Sequence, residues 1–221
     1  MRKPLWPALF AVVTAVHLVL LGLDVAPLDS ITKCLIAPTL IGWTIAADGP
    51  RALLGFLVFC LLGDLFLEIE PLFIAGMAAF AVAHLILVTH LVQHGALDAL
   101  RARPWLVAVY GIPSVALVIW LWGGLPAELL VPVPIYTALL LTTAVTSIAV
   151  DRVVGAGGLL FLVSDGIIAL GVAERVPPEA ALTQLSIMTL YSAAIGLITV
   201  GLLRLSPRDA PAAHQRRSQA A

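Results

Sequence analysis

Residues 154–172 have the sequence VGAGGLLFLVSDGIIALGV, in which only Ser164 and Asp165 are polar. A helix of about 20 apolar residues crosses the hydrocarbon core of a bilayer. A carboxylate at the centre of such a helix costs about 2.5–3.5 kcal/mol to insert, so Asp165 needs a compensating partner. The same segment contains four glycines, Gly155, Gly157, Gly158 and Gly166. Small residues of this kind let neighbouring helices approach closely. We therefore expect this helix to lie inside a bundle, with Asp165 directed inward.

The composition of the whole chain indicates an integral membrane protein. Hydrophobic residues make up 61% and charged residues 11%, whereas soluble domains carry about 25% charged residues. Both cysteines, Cys34 and Cys60, fall in apolar segments and predict neither a disulfide framework nor a metal site. The segments predict an all-α, polytopic bundle of eight transmembrane helices at about 5–23, 31–47, 51–67, 72–92, 104–122, 130–150, 154–173 and 183–203.

The positions of lysine and arginine predict the orientation. Cytoplasmic loops carry an excess of these residues. With eight spans, ten of them fall on one side: Arg2, Lys3, Arg51, Arg101, Arg103, Arg152, Arg204, Arg208, Arg216 and Arg217. Arg175 alone lies in an opposite loop, so both termini are expected in the cytoplasm, in a bacterial inner-membrane type of cell membrane. The apolar run after Lys3 is longer than a typical signal-peptide core, which predicts a retained first helix.

The domain prediction is a single transmembrane unit, residues 1–205, followed by a disordered cytoplasmic tail, residues 206–221. Within the bundle, polar groups from different helices reach similar depths when counted along each helix. They are His17, Lys33, Asp64, Glu68, His84, Tyr136, Asp165 and Tyr191. This gathering predicts a polar pocket that opens toward the outer side.

Asp64 and Asp165 are the expected catalytic pair. Ionisable groups inside membranes usually mark a functional site, and two carboxylates that face each other can share one proton. One could then donate a proton while the other orients water. The alternative is structural: each acid pairs with Lys33 or bonds a neighbouring helix.

Lys33 has two interpretations, since it could hold a phosphate or set the charge of an adjacent acid, or it could extend to the membrane interface. Glu68 lies four residues after Asp64 and so shares its helix face, although its position favours a solvated loop residue slightly. Tyr136 and Tyr191 could bond an acid or a substrate phosphate. His17 is expected to be packed and hydrogen-bonded, and no metal site or cofactor is expected.

Five pieces of sequence, taken in order, resemble the YhhN-like lysoplasmalogenases, which are membrane proteins of eight helices. They are Thr32-Lys33 with Pro38, the run 61–64 (LLGD), the set Gly76, Phe80 and His84, the region of Tyr136, and the run 157–165 (GGLLFLVSD). The resemblance implies hydrolysis of the vinyl ether bond of lysoplasmalogens to a fatty aldehyde and a glycerophospho-alcohol, with choline or ethanolamine as the head group. It also implies that Lys33, Asp64 and Asp165 are functional.

Vinyl ether hydrolysis needs a general acid to protonate carbon and a carboxylate to stabilise the cation and guide water. Two acids in an apolar pocket supply both roles. The residues expected to contact the lysolipid substrate are Lys33, Glu68, His84, Tyr136, Ser164 and Tyr191. Two other functions remain open on the sequence: a transporter of ions or small molecules through the intramembrane Lys and Asp residues, and a non-catalytic lipid-binding protein. Membrane lipids are the expected surroundings, no nucleic-acid partner is expected, and the oligomeric state is open.

The predicted topology can be tested with reporter fusions. Fusions after Arg103 and after Arg208 should report a cytoplasmic position, and a fusion after Glu128 should report an external one, because the lysine and arginine residues set the orientation. An external C-terminus would contradict the predicted depth of every polar residue.

Overall fold

A computed structural model describes residues 5–206, except the side chain of Glu70. Within this range the chain forms nine α-helices and no β-strand, which confirms the predicted all-helical class. The helices are α1 (Leu5–Gly22), α2 (Leu28–Ala46), α3 (Arg51–Leu67), α4 (Phe73–Gln93), α5 (Ala96–Ala102), α6 (Trp105–Leu121), α7 (Pro132–Val150), α8 (Arg152–Val172) and α9 (Ala181–Leu205). Apart from Ser206, the predicted tail lies outside the described residues, as do Arg2 and Lys3.

Eight of these helices coincide with the eight predicted segments, and α5 is additional. Gly95 adopts a φ of 89° between α4 and α5, a left-handed conformation that glycine takes without steric cost. The seven residues of α5 are too few to cross a bilayer. Its Asp98 and Arg101 form an exposed ion pair at 2.6 Å. This polar surface explains why hydropathy alone did not predict the helix.

Among the described residues, six segments are long and apolar enough to cross a membrane: Leu5–Gly22, Phe73–Gln93, Trp105–Gly124, Ala127–Val150, Arg152–Val172 and Ala181–Leu205. The helix α3 is only 17 residues long, and α2 carries Asp29 and Lys33. These two helices contribute Asp29, Lys33 and Asp64 to the site described below. The count of eight spans therefore stays a prediction.

The helix α8 lies between α7 and α9, and its glycines set the spacing. Asp151 starts the helix by accepting hydrogen bonds from the backbone amides of Val153 and Val154 at 2.8 and 3.0 Å. A Cβ on Gly157 would lie 2.7 Å from Ile198 of α9, and a Cβ on Gly158 would lie 3.1 Å from Ala144 of α7. The close approach expected from the glycine-rich sequence is confirmed on both sides of the helix.

The remaining helices pack around α7, α8 and α9. The helix α9 contacts α1, α2, α3 and α8, while α4 packs against α3 and α7. The helix α6 packs mainly on α7 and touches α8 only slightly. Many of its apolar side chains, such as Ile112 and Ile119, are exposed, as expected for a surface that faces lipid. The cavity described below is lined by residues of both α6 and α8 at this weak contact.

The spacing of α8 and α9 predicts the effect of adding a methyl group. Gly157→Ala should destabilise the protein by about 1–3 kcal/mol, because the new Cβ meets Ile198 and the carbonyl oxygen of Ala194. Gly111→Ala in α6 is the matched control, since its Cβ would lie 3.8 Å from the nearest atom, Leu141 Cδ2. Thermal unfolding in detergent should show a lower midpoint for Gly157→Ala alone. Equal midpoints would contradict the tight packing of α8 on α9.

Candidate active site

A cavity of about 1280 Å³ runs through the bundle and has two chemically different ends. What we call the polar end is lined by His17, Asp29, Lys33, Asp64 and Glu68. What we call the apolar end lies along α6 and α8 and is lined by Val109, Pro113, Leu117, Leu159 and Val163. A cavity of this size and dual character suits an amphiphile, with its head group at one end and its chain at the other.

Asp64 lies in the last turns of α3 and is 2% exposed. Its Oδ2 accepts a hydrogen bond of 2.7 Å from the hydroxyl of Tyr191 on α9. Gly63 makes room at this point, because a Cβ there would lie 2.5 Å from the ring of Phe80. The hydrogen bond gives Asp64 a polar partner inside the bundle and ties α3 to α9.

Asp165 has the same type of partner. Its Oδ2 accepts a hydrogen bond of 2.6 Å from the hydroxyl of Tyr136 on α7. Asp165 and Tyr136 are half-buried and line the cavity. The sequence predicts that the two aspartates face each other and share one proton. In the described part of the chain no hydrogen bond joins them, although they lie close enough for their charges to interact. Each is held by its own tyrosine.

Aromatic rings connect the two Asp–Tyr pairs. Phe161 of α8 packs edge-on against Tyr191, with ring centroids 5.5 Å apart, and against His84 at 4.4 Å. His84 in turn lies 6.2 Å from Tyr136. These edge-to-face contacts fix the orientation of both tyrosines, so the two carboxylates are held by one rigid aromatic layer.

His84 itself lies behind the wall of the cavity. It is completely buried and is not among the residues that line the cavity. Neither ring nitrogen has a hydrogen-bond partner among the described residues. Its position supports packing against Phe161 and Tyr136, and it offers no direct contact with a ligand in the cavity.

Ser164 lines the cavity and also forms a hydrogen bond to a neighbouring helix. Its hydroxyl donates to the backbone oxygen of Ile187 on α9 at 3.0 Å, and the residue is 1% exposed. This bond fixes α8 against α9 next to Asp165, so Ser164 positions the carboxylate.

Lys33 and Glu68 form an ion pair at the polar end. The Nζ of Lys33 donates to Oε1 of Glu68 at 2.6 Å, and both side chains are partly buried. Lys33 therefore turns into the cavity. Burial opposes ionisation of Glu68, but the charge and hydrogen bond of Lys33, together with smaller contributions from Ser30 and His17, hold the pKa of this carboxyl below its ordinary value. The pair carries one positive and one negative charge at the polar end.

Two further residues of the polar end have unpaired atoms. His17 is 1% exposed, and its Nδ1 contacts the backbone oxygen of Asp29 at 3.0 Å, which agrees with the packed, hydrogen-bonded role expected for it. Its Nε2 and the Oδ1 of Asp29 are buried without a partner among the described residues. Asp29 was not expected at the site, because the predicted apolar segment begins at residue 31, whereas α2 begins three residues earlier, at Leu28.

Comparison with known proteins agrees with this architecture. Residues 28–202 match the model of the YhhN family. The chain belongs to the YhhN family. Its curated relatives include the human protein named lysoplasmalogenase TMEM86B, which is 33% identical over 79% of this chain and 75% of the relative. The pig protein of the same name is 29% identical over 93% of this chain and 89% of the relative. No solved structure is significantly similar to the chain.

The matched region starts at the first residue of α2 and ends within α9. It therefore contains both Asp–Tyr pairs and the Lys33–Glu68 ion pair. His17, on α1, lies outside this region.

Proposed function

We propose that this protein is a membrane-embedded hydrolase that cleaves the vinyl ether bond of a lysoplasmalogen-type lysolipid. The observation that carries the proposal is the pair of aspartates, each bonded to a tyrosine, in a cavity with one polar and one apolar end. The name of the YhhN relatives, lysoplasmalogenase, indicates the same chemistry. The products are a fatty aldehyde and a glycerophospho-alcohol.

The reaction begins with transfer of a proton to the vinyl carbon farther from the ether oxygen. The π electrons form the new C–H bond, and the resulting cation is shared between the other vinyl carbon and oxygen. Water adds to that carbon and loses a proton, which gives a hemiacetal. Breakage of its bond to the glycerol oxygen then yields the aldehyde and the alcohol, so one water molecule is consumed in total.

The geometry suggests different roles for the two acids. The carbon that receives the proton is the one nearer the alkyl chain. Asp165 lies near the apolar end, next to Gly166, whose Cβ would approach Leu117 of α6 at 3.4 Å. Asp64 lies among the charged groups of the polar end. We assign Asp165 as the general acid and Asp64 as the carboxylate that stabilises the cation and orients water.

The lysolipid would enter from the bilayer between α6 and α8. Val109, Leu159 and Val163 line the cavity and are 56%, 39% and 43% exposed. We infer that the cavity opens to the lipid-facing surface at the edge where α6 and α8 touch least. An amphiphile can slide its chain into this opening without leaving the membrane.

Our topological proposal is that α2 and α3 cross the membrane with the six longer spans. Both termini would then be cytoplasmic in a multi-pass cell-membrane protein, and the polar end would face the outer side. The charges of α2 support this arrangement, because Lys33 is paired with Glu68 and its side chain is only 17% exposed.

Substitution of the site residues tests the two-acid mechanism. Asp64→Asn and Asp165→Asn should each lower kcat by about 10²-fold or more, since each removes a group that acts in proton transfer or charge stabilisation. Tyr136→Phe and Tyr191→Phe should have smaller effects, because the carboxylates remain. Asp98→Asn, an exposed carboxylate on α5, is the control and should retain full turnover.

The measurement is aldehyde release by purified protein in detergent, with thermal unfolding to show that each variant is folded. Retention of most activity by both Asn variants would refute the mechanism. Ion movement in liposomes without any lipid turnover would favour the transporter.

Isotope labelling tests which bond is cut. In deuterated water, one deuterium should appear on the carbon next to the aldehyde carbonyl, and the rate should fall because the proton is transferred to carbon. In ¹⁸O-labelled water, the glycerophospho-alcohol should remain unlabelled, because its own C–O bond stays intact. Mass spectrometry after immediate reduction of the aldehyde measures both labels, and unlabelled aldehyde incubated alone corrects for exchange.

Three results would contradict the vinyl ether assignment. They are ¹⁸O in the alcohol, an aldehyde that carries no deuterium, and free fatty acid from an acyl lysolipid as the main product.

A further inference from the structure

The polar end of the cavity contains two buried atoms that have no hydrogen-bond partner among the described residues. They are Nε2 of His17 and Oδ1 of Asp29. Buried polar atoms in folded proteins are nearly always hydrogen-bonded, and leaving one unpaired costs about 1–3 kcal/mol. Both residues line the cavity, so a ligand in the cavity can supply the missing partner.

The hydrogen bonds around His17 determine what this partner must be. The hydroxyl of Thr32 donates to the backbone oxygens of Leu28 and Asp29 at 2.8 and 2.9 Å. The Nδ1 of His17 faces the oxygen of Asp29 and the Oγ of Thr32, at 3.0 and 3.2 Å. A carbonyl oxygen can only accept, so Nδ1 carries the proton. In the neutral ring Nε2 is then an acceptor, as is the carboxylate oxygen of Asp29.

The charge of the cavity selects among donors. Among the described residues, six acids line it: Asp24, Asp29, Asp64, Glu68, Asp165 and Glu179. Lys33 is the only lysine or arginine of the described chain in the same lining, and it is already paired with Glu68 at 2.6 Å. A cationic donor is therefore favoured over a neutral hydroxyl. A primary ammonium has three N–H groups for the two acceptors, whereas a trimethylammonium has none.

We infer that Asp29 and His17 form a subsite for a primary ammonium group, which makes them the residues that select an ethanolamine-type head group over a choline-type one. This inference rests on the proposed function, because it places the head group of the same lysolipid. The phosphate would lie beside Lys33, and the ammonium would donate to Oδ1 of Asp29 and Nε2 of His17.

Binding of lysolipids that cannot be cleaved tests the subsite independently of turnover. The probes are saturated 1-alkyl ether lysolipids of one chain length with ethanolamine, N-methylethanolamine, N,N-dimethylethanolamine or choline head groups. Wild-type protein in detergent should bind the ethanolamine lipid about tenfold more tightly than the choline lipid, and affinity should fall with each added methyl group. That ratio corresponds to about 1.4 kcal/mol.

Asp29→Asn should reduce this ratio to about one by weakening the ethanolamine lipid much more than the choline lipid, since the amide keeps the shape and loses the charge-assisted acceptor of the ammonium N–H. His17→Gln should reduce it in the same way, and Asp98→Asn should leave it unchanged. With 1-alkenyl substrates, the Asp29→Asn effect should appear in KM for the ethanolamine lipid while kcat stays the same.

Several results would overturn the subsite. An Asp29→Asn variant that weakens both lipids by the same factor, and so keeps the tenfold ratio, would show a merely structural carboxylate. A wild-type protein that binds both equally would show that no ammonium is recognised. Competition by free ethanolamine at concentrations close to the Kd of the lipid would show an amine site unrelated to lipids. Failure of the proposed function has a different signature, which is absence of aldehyde from 1-alkenyl lipids whatever the binding ratio.

Discussion

A carboxylate placed between apolar helices needs a hydrogen-bond donor on another helix, and tyrosine provides one for both central aspartates. The bond from Tyr191 to Asp64 joins α9 to α3, and the bond from Tyr136 to Asp165 joins α7 to α8. Four helices are therefore fixed by two hydrogen bonds at the same place where the chemistry would occur. Tyrosine suits this role, because its ring packs in the apolar layer around Phe161 while its hydroxyl reaches the acid.

These bonds form only if the helices approach closely, and the glycines of α8 allow it. Gly157 and Gly158 place α8 against α9 and α7 at distances that a larger side chain would prevent. Ser164 then bonds the backbone of α9 one residue before Asp165. The glycine-rich run and the aspartate that follows it therefore act together. The glycines let α8 approach α7 and α9 closely, and this approach brings Tyr136 within hydrogen-bond distance of Asp165.

The sequence predicts this part of the structure well, because the signals are local and strong. An apolar helix interrupted by one carboxylate identifies Asp165, and the same pattern identifies Asp64. The partners are harder to predict, since they depend on which helices are neighbours. Tyr136 and Tyr191 were expected to bond either an acid or a phosphate, and only the packing of α7 on α8 and of α9 on α3 resolves that choice. Lys33 was a candidate partner of the aspartates, yet it pairs with Glu68, which lies beyond the end of α3.

The sequence predicted His17 only as a packed, hydrogen-bonded residue of the pocket and did not indicate Asp29. Both residues lie near helix ends, where hydropathy changes from apolar to polar and a polar residue is ordinary. Their importance comes from unpaired atoms in a three-dimensional arrangement, which no spacing along the chain encodes. The cavity changes from charged to apolar along its length. Asp29 and Glu68 lie at one end, the aspartate–tyrosine pairs lie between, and the α6–α8 opening lies at the other end. In a lysolipid that is also the order of head group, ether bond and chain. A lipid whose chain lies between α6 and α8 therefore holds its ether bond beside the two acids while its head group lies at the polar end.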